Sequence, residues 1–526
     1  MKKLFLLVLP ILTLMGCSDD DDASVVLPMP TGESKLYQLN SVANPSISGT
    51  ATFIENDDNS TTINLNVVGT PDDGMHPAHI HFNTAAEGGD IALTLGTVDG
   101  TTGLSTITTS TLNDGTSISY DELLNFDGYI NVHLGPGDDL ATIVAQGDIG
   151  QNELSGESKM YDLGERDVAG ISGTVTFEER LNGEALATIA LDGTPADGTH
   201  PAHIHMNTAA EGGAILYSFT PVDGTTGMSV SNVATLDDET PFVYADVLTV
   251  DGYVNVHLGP GDDLATIVAQ GDIGQNELSG ESKMYDLGER DVAGISGTVT
   301  FEERLNGEAL ATIALDGTPA DGTHPAHIHM NTAAEGGAIL YSFTPVDGTT
   351  GMSVSNVATL DDETPFVYAD VLTVDGYVNV HLGPGDDLAT IVAQGDIGQN
   401  ELTGESTTYT LGEVDVPGIN GSLTFEERLN GEALATISLV NTVPDAEHPA
   451  HIHANSASET GPIIFTFTSV DGTSGMSLSN VSMLDDETEF GYSDVLTVDG
   501  YVNVHLGPGN DLATIVAQSD IGANAN

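Results

Sequence analysis

The hexapeptide His-Pro-Ala-His-Ile-His starts at positions 76, 200, 324 and 448, a constant spacing of 124 residues. A period of that length is far longer than a solenoid repeat, so each copy has to bury a core of its own. The unit opens alike at Gly32, Gly156, Gly280 and Gly404, each followed by Glu-Ser. Four tandem domains are therefore expected at 32–155, 156–279, 280–403 and 404–526. Residues 131–278 recur unchanged as 255–402, which marks the second and third copies as a recent duplication with one shared function.

Local pattern sets the fold class. In the second copy, runs rich in Val, Ile, Thr, Tyr and Phe cover 159–163, 171–178, 185–191, 202–206, 215–220, 228–235, 253–258 and 265–270, separated by Gly, Pro, Asn and Asp. Short runs of this kind between turn residues read as strands, and eight of them predict an all-β domain, an antiparallel sandwich or Greek-key barrel. The stretch 244–248 is the one expected helical turn.

The chain begins with processing signals. Lys2 and Lys3 precede an apolar run from Leu4 to Leu14, which is as long as a secretory core and too short to span a bilayer. Leu14-Met15-Gly16-Cys17 resembles the lipobox of bacterial lipoproteins, which implies removal of residues 1–16 and acylation of Cys17. Several acyl chains hold a protein at a membrane stably. The acidic tether at 17–31, with Asp19 to Asp22, resembles the signal that sends lipoproteins of Bacteroidota to the outer face of the outer membrane. With 10 Lys and Arg against 79 Asp and Glu, the net charge of −69 repels polyanions and excludes nucleic acid as a partner. The partners expected are the membrane, through the lipid anchor, and an extracellular protein or glycan. Cys17 is the only cysteine, so the chain has no intrachain disulfide.

The 16 histidines all fall in two places per repeat. Residues two apart on a strand face the same way, so His79 and His81 project side by side, and His133 on a second strand completes a three-nitrogen set. The counterparts are His203, His205 and His257; His327, His329 and His381; and His451, His453 and His505. The first residue of each hexapeptide, His76, His200, His324 or His448, is out of register and a secondary candidate. An imidazole cluster with an open position suits copper or zinc. The alternative is structural, each ring N–H holding a neighbouring carbonyl. Imidazole must be neutral to ligate, so occupancy should fall as pH drops through the ordinary histidine range near ~6.5. Asp138 and Asp139, with counterparts such as Asp262 and Asp263, offer oxygens to calcium, but they are equally what a tight turn needs, and calcium is the lesser expectation.

The run from Gly170 to Phe177, the hexapeptide at His200, the segment Val250 to His257 and the closing Ile267 to Gly274 together resemble the chordin-type (CHRD) domain over nearly the whole repeat. That resemblance implies an extracellular β-domain with a binding role. A second likeness is to copper/zinc superoxide dismutase, whose copper is held by a His-x-His pair and a later strand histidine, the types found at His79, His81 and His133. The two likenesses imply an immunoglobulin-like or superoxide-dismutase-like fold. The chain departs from the enzyme in lacking the bridging histidine with its zinc loop, the disulfide and a guiding arginine. No nucleophile with a base and no phosphate loop is visible. The function expected is a cell-surface lipoprotein that presents four domains for extracellular binding or adhesion with a histidine metal site in each. The alternative is a copper/zinc-binding or redox protein.

Overall fold

The computed structural model describes residues 27–525; Cys17 and the tether as far as residue 26 lie outside the described residues. In the first repeat, eight strands run β1 (Pro30–Ser41), β2 (Ser48–Asn56), β3 (Thr61–Val68), β4 (Met75–Phe82), β5 (Ile91–Asp99), β6 (Leu104–Thr109), β7 (Asp127–His133) and β8 (Ile143–Gly150). They close into an antiparallel barrel in the order β1-β2-β3-β6-β5-β4-β7-β8, so the all-β expectation holds and the barrel form is the one adopted.

Alternation explains why these segments are strands. Along β3, Ile63, Leu65 and Val67 point inward while Asn64 and Asn66 point out, the period of two that a half-buried strand requires. The same rule sends Phe53, Ile80, Ile130 and Val132 into a core closed by Tyr37, Leu39 and Val144. The expected helical turn is present as α1 (Tyr120–Leu123) in the first repeat and as Tyr244–Val247 in the second. In α1 the Ser119 side chain and Glu122 cap each other reciprocally, which satisfies donors that a helix start leaves unpaired. The first strands of the later repeats begin at Leu154, Leu278 and Leu402, so the boundaries read from the sequence fall just inside a strand.

The fourth repeat closes in the same strand order, whereas the second and third are ten-stranded sheets in which two barrel strands are each split in two. In the third repeat the split pieces are Thr323–His324 with Ala326–Met330, and Ile339–Ser342 with Val346–Asp347. Proline supplies no backbone donor. Pro325 and Pro345 sit at the breaks of the two neighbouring strands of the third repeat, whereas the fourth keeps Pro449 within a strand and has Ser469 where Pro345 would be. Its strands Glu447–Ala454 and Ile463–Asp471 are continuous.

A buried arginine joins consecutive repeats. The Arg304 side chain has no solvent exposure and pairs with Asp272 of the preceding repeat at 2.7 Å. It also donates to the Asn276 carbonyl and, through Nε, to Asn356 of its own repeat at 2.8 Å. Arg428 does the same with Asp396 at 2.7 Å, as Arg180 does with Asp148 at 2.7 Å. The first repeat has no predecessor among the four, and there the matching position holds Asn56, which turns to Ser60 and Thr62 instead.

Candidate metal centre

β4 and β7 are neighbours with Ala78 opposite Val132, His79 opposite Asn131, Ile80 opposite Ile130 and His81 opposite Tyr129. Ala78, Ile80, Ile130 and Val132 fill the barrel. The alternate residues therefore stand on its outer wall, which places His79, His81, Tyr129 and His133 on one face. Register shifts against the flanking strands fall between Ile80 and His81 and between Val132 and His133. A bulge re-aims the side chain beside it, and a further shift between Pro77 and His79 means that all three histidines of this repeat stand beside one. One ligand atom from each of His79, His81 and His133 lies within 4.8 Å of the others, and the same holds for His203, His205 and His257, for His327, His329 and His381, and for His451, His453 and His505. All four triads expected from the sequence are thus assembled.

Backbone carbonyls orient the rings. His81 Nδ1 donates to the Gly89 carbonyl at 2.8 Å, and its counterparts use Gly213, Gly337 and Gly461. His257 and His381 Nδ1 donate to the Leu264 and Leu388 carbonyls at 2.7 Å. With Nδ1 carrying the proton, Nε2 of each ring is left as a lone pair. The buried Nε2 of His205, His257, His329 and His381 and the buried Nδ1 of His203 and His327 have no hydrogen-bond partner among the described residues. In the first repeat His79 Nδ1 lies 3.2 Å from His133 Nε2. Two nitrogens bound to one zinc at ~2.0–2.1 Å in tetrahedral geometry are about 3.3 Å apart. The donor set of one Nδ1 and two Nε2 atoms therefore fits a transition-metal ion, and leaves a coordination position that no protein nitrogen of the triad fills.

Burial disfavours the charged form of two rings in each triad. His79, His203, His327 and His451 are pushed down to about 4, first by burial and then by the neighbouring imidazoles. His133 is lowered by burial too, although the Leu140 carbonyl favours its proton. At His79 and its counterparts protons compete for the ring only below the ordinary histidine range, because the burial that assembles the triad also disfavours the charged form.

Three contributors carry no obvious sequence signature. Tyr129 stacks on His81 with ring centroids 5.0 Å apart and planes 20° apart. In the later repeats the matching Tyr253, Tyr377 and Tyr501 accept the backbone N–H of Gly213, Gly337 and Gly461 at 3.2 Å. Each glycine therefore holds the histidine through its carbonyl and the tyrosine through its N–H. A side chain there has no room: a Cβ on Gly337 would meet the Met330 carbonyl oxygen at 2.0 Å. The Leu140 carbonyl and its equivalents are the third contributor.

The secondary candidates lie apart from the triads. His76 is buried and its Nδ1 donates to the carbonyl of His133 at 3.2 Å, and His200, His324 and His448 do the same for His257, His381 and His505. They brace the strand that carries a triad histidine. Asp138 and Asp139 open the short turn Gly137–Ala141, where the Asp139 carbonyl accepts the Thr142 N–H. Among the described residues, the groups with convergent ligand atoms are the four histidine triads.

Compared with known proteins, the chain matches no protein-family model and no curated protein.

Proposed function

We propose that the protein binds one transition-metal ion, copper or zinc, in each of its four repeats, and that a lipid on Cys17 holds the array at the outer face of the outer membrane. The observation that carries the metal reading is the convergence, four times over, of three histidine nitrogens on one point, with unpartnered buried lone pairs among them. A structural histidine needs one nitrogen satisfied; His205, His257, His329 and His381 satisfy Nδ1 through a backbone carbonyl and leave the buried Nε2 without a partner. When bound, zinc would act as a Lewis acid and copper as an electron carrier as well. The protein supplies three imidazole donors, their orientation through Gly89, Leu140 and Tyr129, and a surrounding field that favours cations.

The test is metal analysis of the full chain after dialysis against micromolar Cu²⁺ or Zn²⁺ at pH 7.5. About four ions per chain are expected, and about three after His327→Gln with His329→Gln. No uptake, or no loss in the variant, would overturn the reading.

Presentation for an extracellular protein or glycan partner is a second reading, supported by the CHRD likeness and by the four tandem copies, which multiply weak contacts. Display at the cell surface is common to both readings. Cys17→Ser should release the protein from the membrane fraction, and protease added to intact cells should degrade the domains.

A further inference from the structure

The four triads are alike, but their surroundings are not. In the third repeat Ser342 lies opposite His327 in the strand register. Asp361 reaches over that strand and accepts the Ser342 N–H at 3.0 Å and its hydroxyl at 2.7 Å. The fourth repeat does the same with Asp485 and Thr466, the residue opposite His451. Asp237 holds Ser218 in the second. In the first repeat the cradle is kept and the charge is lost: Asn113 accepts the Thr94 N–H at 3.1 Å and donates to the Thr94 hydroxyl at 3.0 Å, and Thr94 is the residue opposite His79. A carboxylate thus stands over the strand residue that pairs with His203, His327 and His451, and a neutral amide stands in the same place beside His79.

We propose that the metal sites form two classes, three tighter sites in the second to fourth repeats and one weaker site in the first, set by the residue at 113, 237, 361 and 485. This rests on the metal-binding reading above. Imidazole donors carry no negative charge and leave that of the bound cation uncompensated, so one nearby carboxylate stabilises a dication. Asp237, Asp361 and Asp485 are solvent-exposed, so screening keeps the effect moderate, a preference of about fivefold to tenfold. The hydrogen bonds to the cradle do not set the difference, because both residue types make them.

The experiment is a competition titration of the full chain with Zn²⁺ against a chromophoric chelator at low ionic strength. Three tight sites and one weaker by about fivefold to tenfold are expected. Asn113→Asp should convert the weak site, leaving four equal tight ones; Asp485 already makes the same contact with Thr466, so the fold tolerates the exchange. The triple variant Asp237→Asn, Asp361→Asn and Asp485→Asn should give four equal weak sites, and high salt should shrink the gap in the wild type. Four equal sites in the wild type, or no tightening with Asn113→Asp, would overturn the two-class proposal while leaving the metal reading intact. Absence of zinc uptake altogether would overturn both.

Discussion

The third and fourth repeats differ in the continuity of their barrels and agree in their histidine triads. Pro345 splits a strand of the third repeat where Ser469 lets the fourth run on, so one is an open sheet and the other a closed barrel. The ring separations barely change: 5.1 Å for His327 to His381 against 5.2 Å for His451 to His505, and 6.3 Å for His329 to His381 against 6.4 Å for His453 to His505. What fixes the centre is therefore the local scaffold of bulges, carbonyls and stacked tyrosine, and the seam of the barrel tolerates change without disturbing it.

The strongest way to break this comparison is to attack the shared scaffold. Gly337→Ala puts a Cβ 2.0 Å from the Met330 carbonyl oxygen, which forces the loop off the histidine; the expected cost is above ~2 kcal/mol in that repeat. Metal stoichiometry should fall from about four to about three, and Gly461→Ala should do the same for the fourth repeat. Unequal losses would show that barrel closure matters after all.

Acid is the next lever. His327 and His451 sit at about 4 in the folded apoprotein, against ~6.5 in an unfolded chain. Between those values the unfolded state binds more protons, so this contribution to stability is full above the unfolded value and is lost as pH falls through the folded one. Thermal melting of the apoprotein from pH 7.5 to pH 4 should show this loss, measured as the difference from a variant with Gln at His79, His203, His327 and His451. The difference removes the opposing gain from protonating a heavily acidic surface. A pH-independent difference would contradict the burial of these rings.

A smaller effect is expected from Tyr377→Phe, which leaves the ring stacked on His329 and removes the acceptor for the Gly337 N–H. Loss of that hydrogen bond costs about 1 kcal/mol, and metal affinity at that site should weaken by about tenfold, as for other partners that orient a ligand. Tyr501→Phe should match it in the fourth repeat. The smallest effect on the site should come from the seam itself: Ser469→Pro removes one backbone donor, costing about 1 kcal/mol, and should speed amide exchange along 463–471 while metal uptake stays at about four. A lost site in that variant would tie the centre to closure.

Much of this was legible because strands write their faces into sequence. Even spacing put His79 and His81 on one side, and the matching parity of His133 on another strand brought it to them. The acceptors that orient the rings were not legible, since Gly89 and Leu140 act through carbonyls and every residue has one. Tyr129 was closer to reach, four residues before His133 and hence on its face. The split barrels also had a visible cause in Pro221 and Pro345, but a proline at a strand end and one that cuts a strand look alike until the neighbour is known; here the neighbour carries a proline too. Arg304 could not be interpreted from its own repeat, because its carboxylate partner belongs to the one before.

That arginine bears on heredity as well as on stability. Each of the second, third and fourth repeats carries its own guanidinium and meets an aspartate in the repeat ahead of it. A copy gained or lost in register by unequal crossing-over between these repeats would preserve every pairing, since plug and socket are inherited together. Length can then vary between lineages without any new interface having to evolve, and the number of histidine triads would vary with it one at a time.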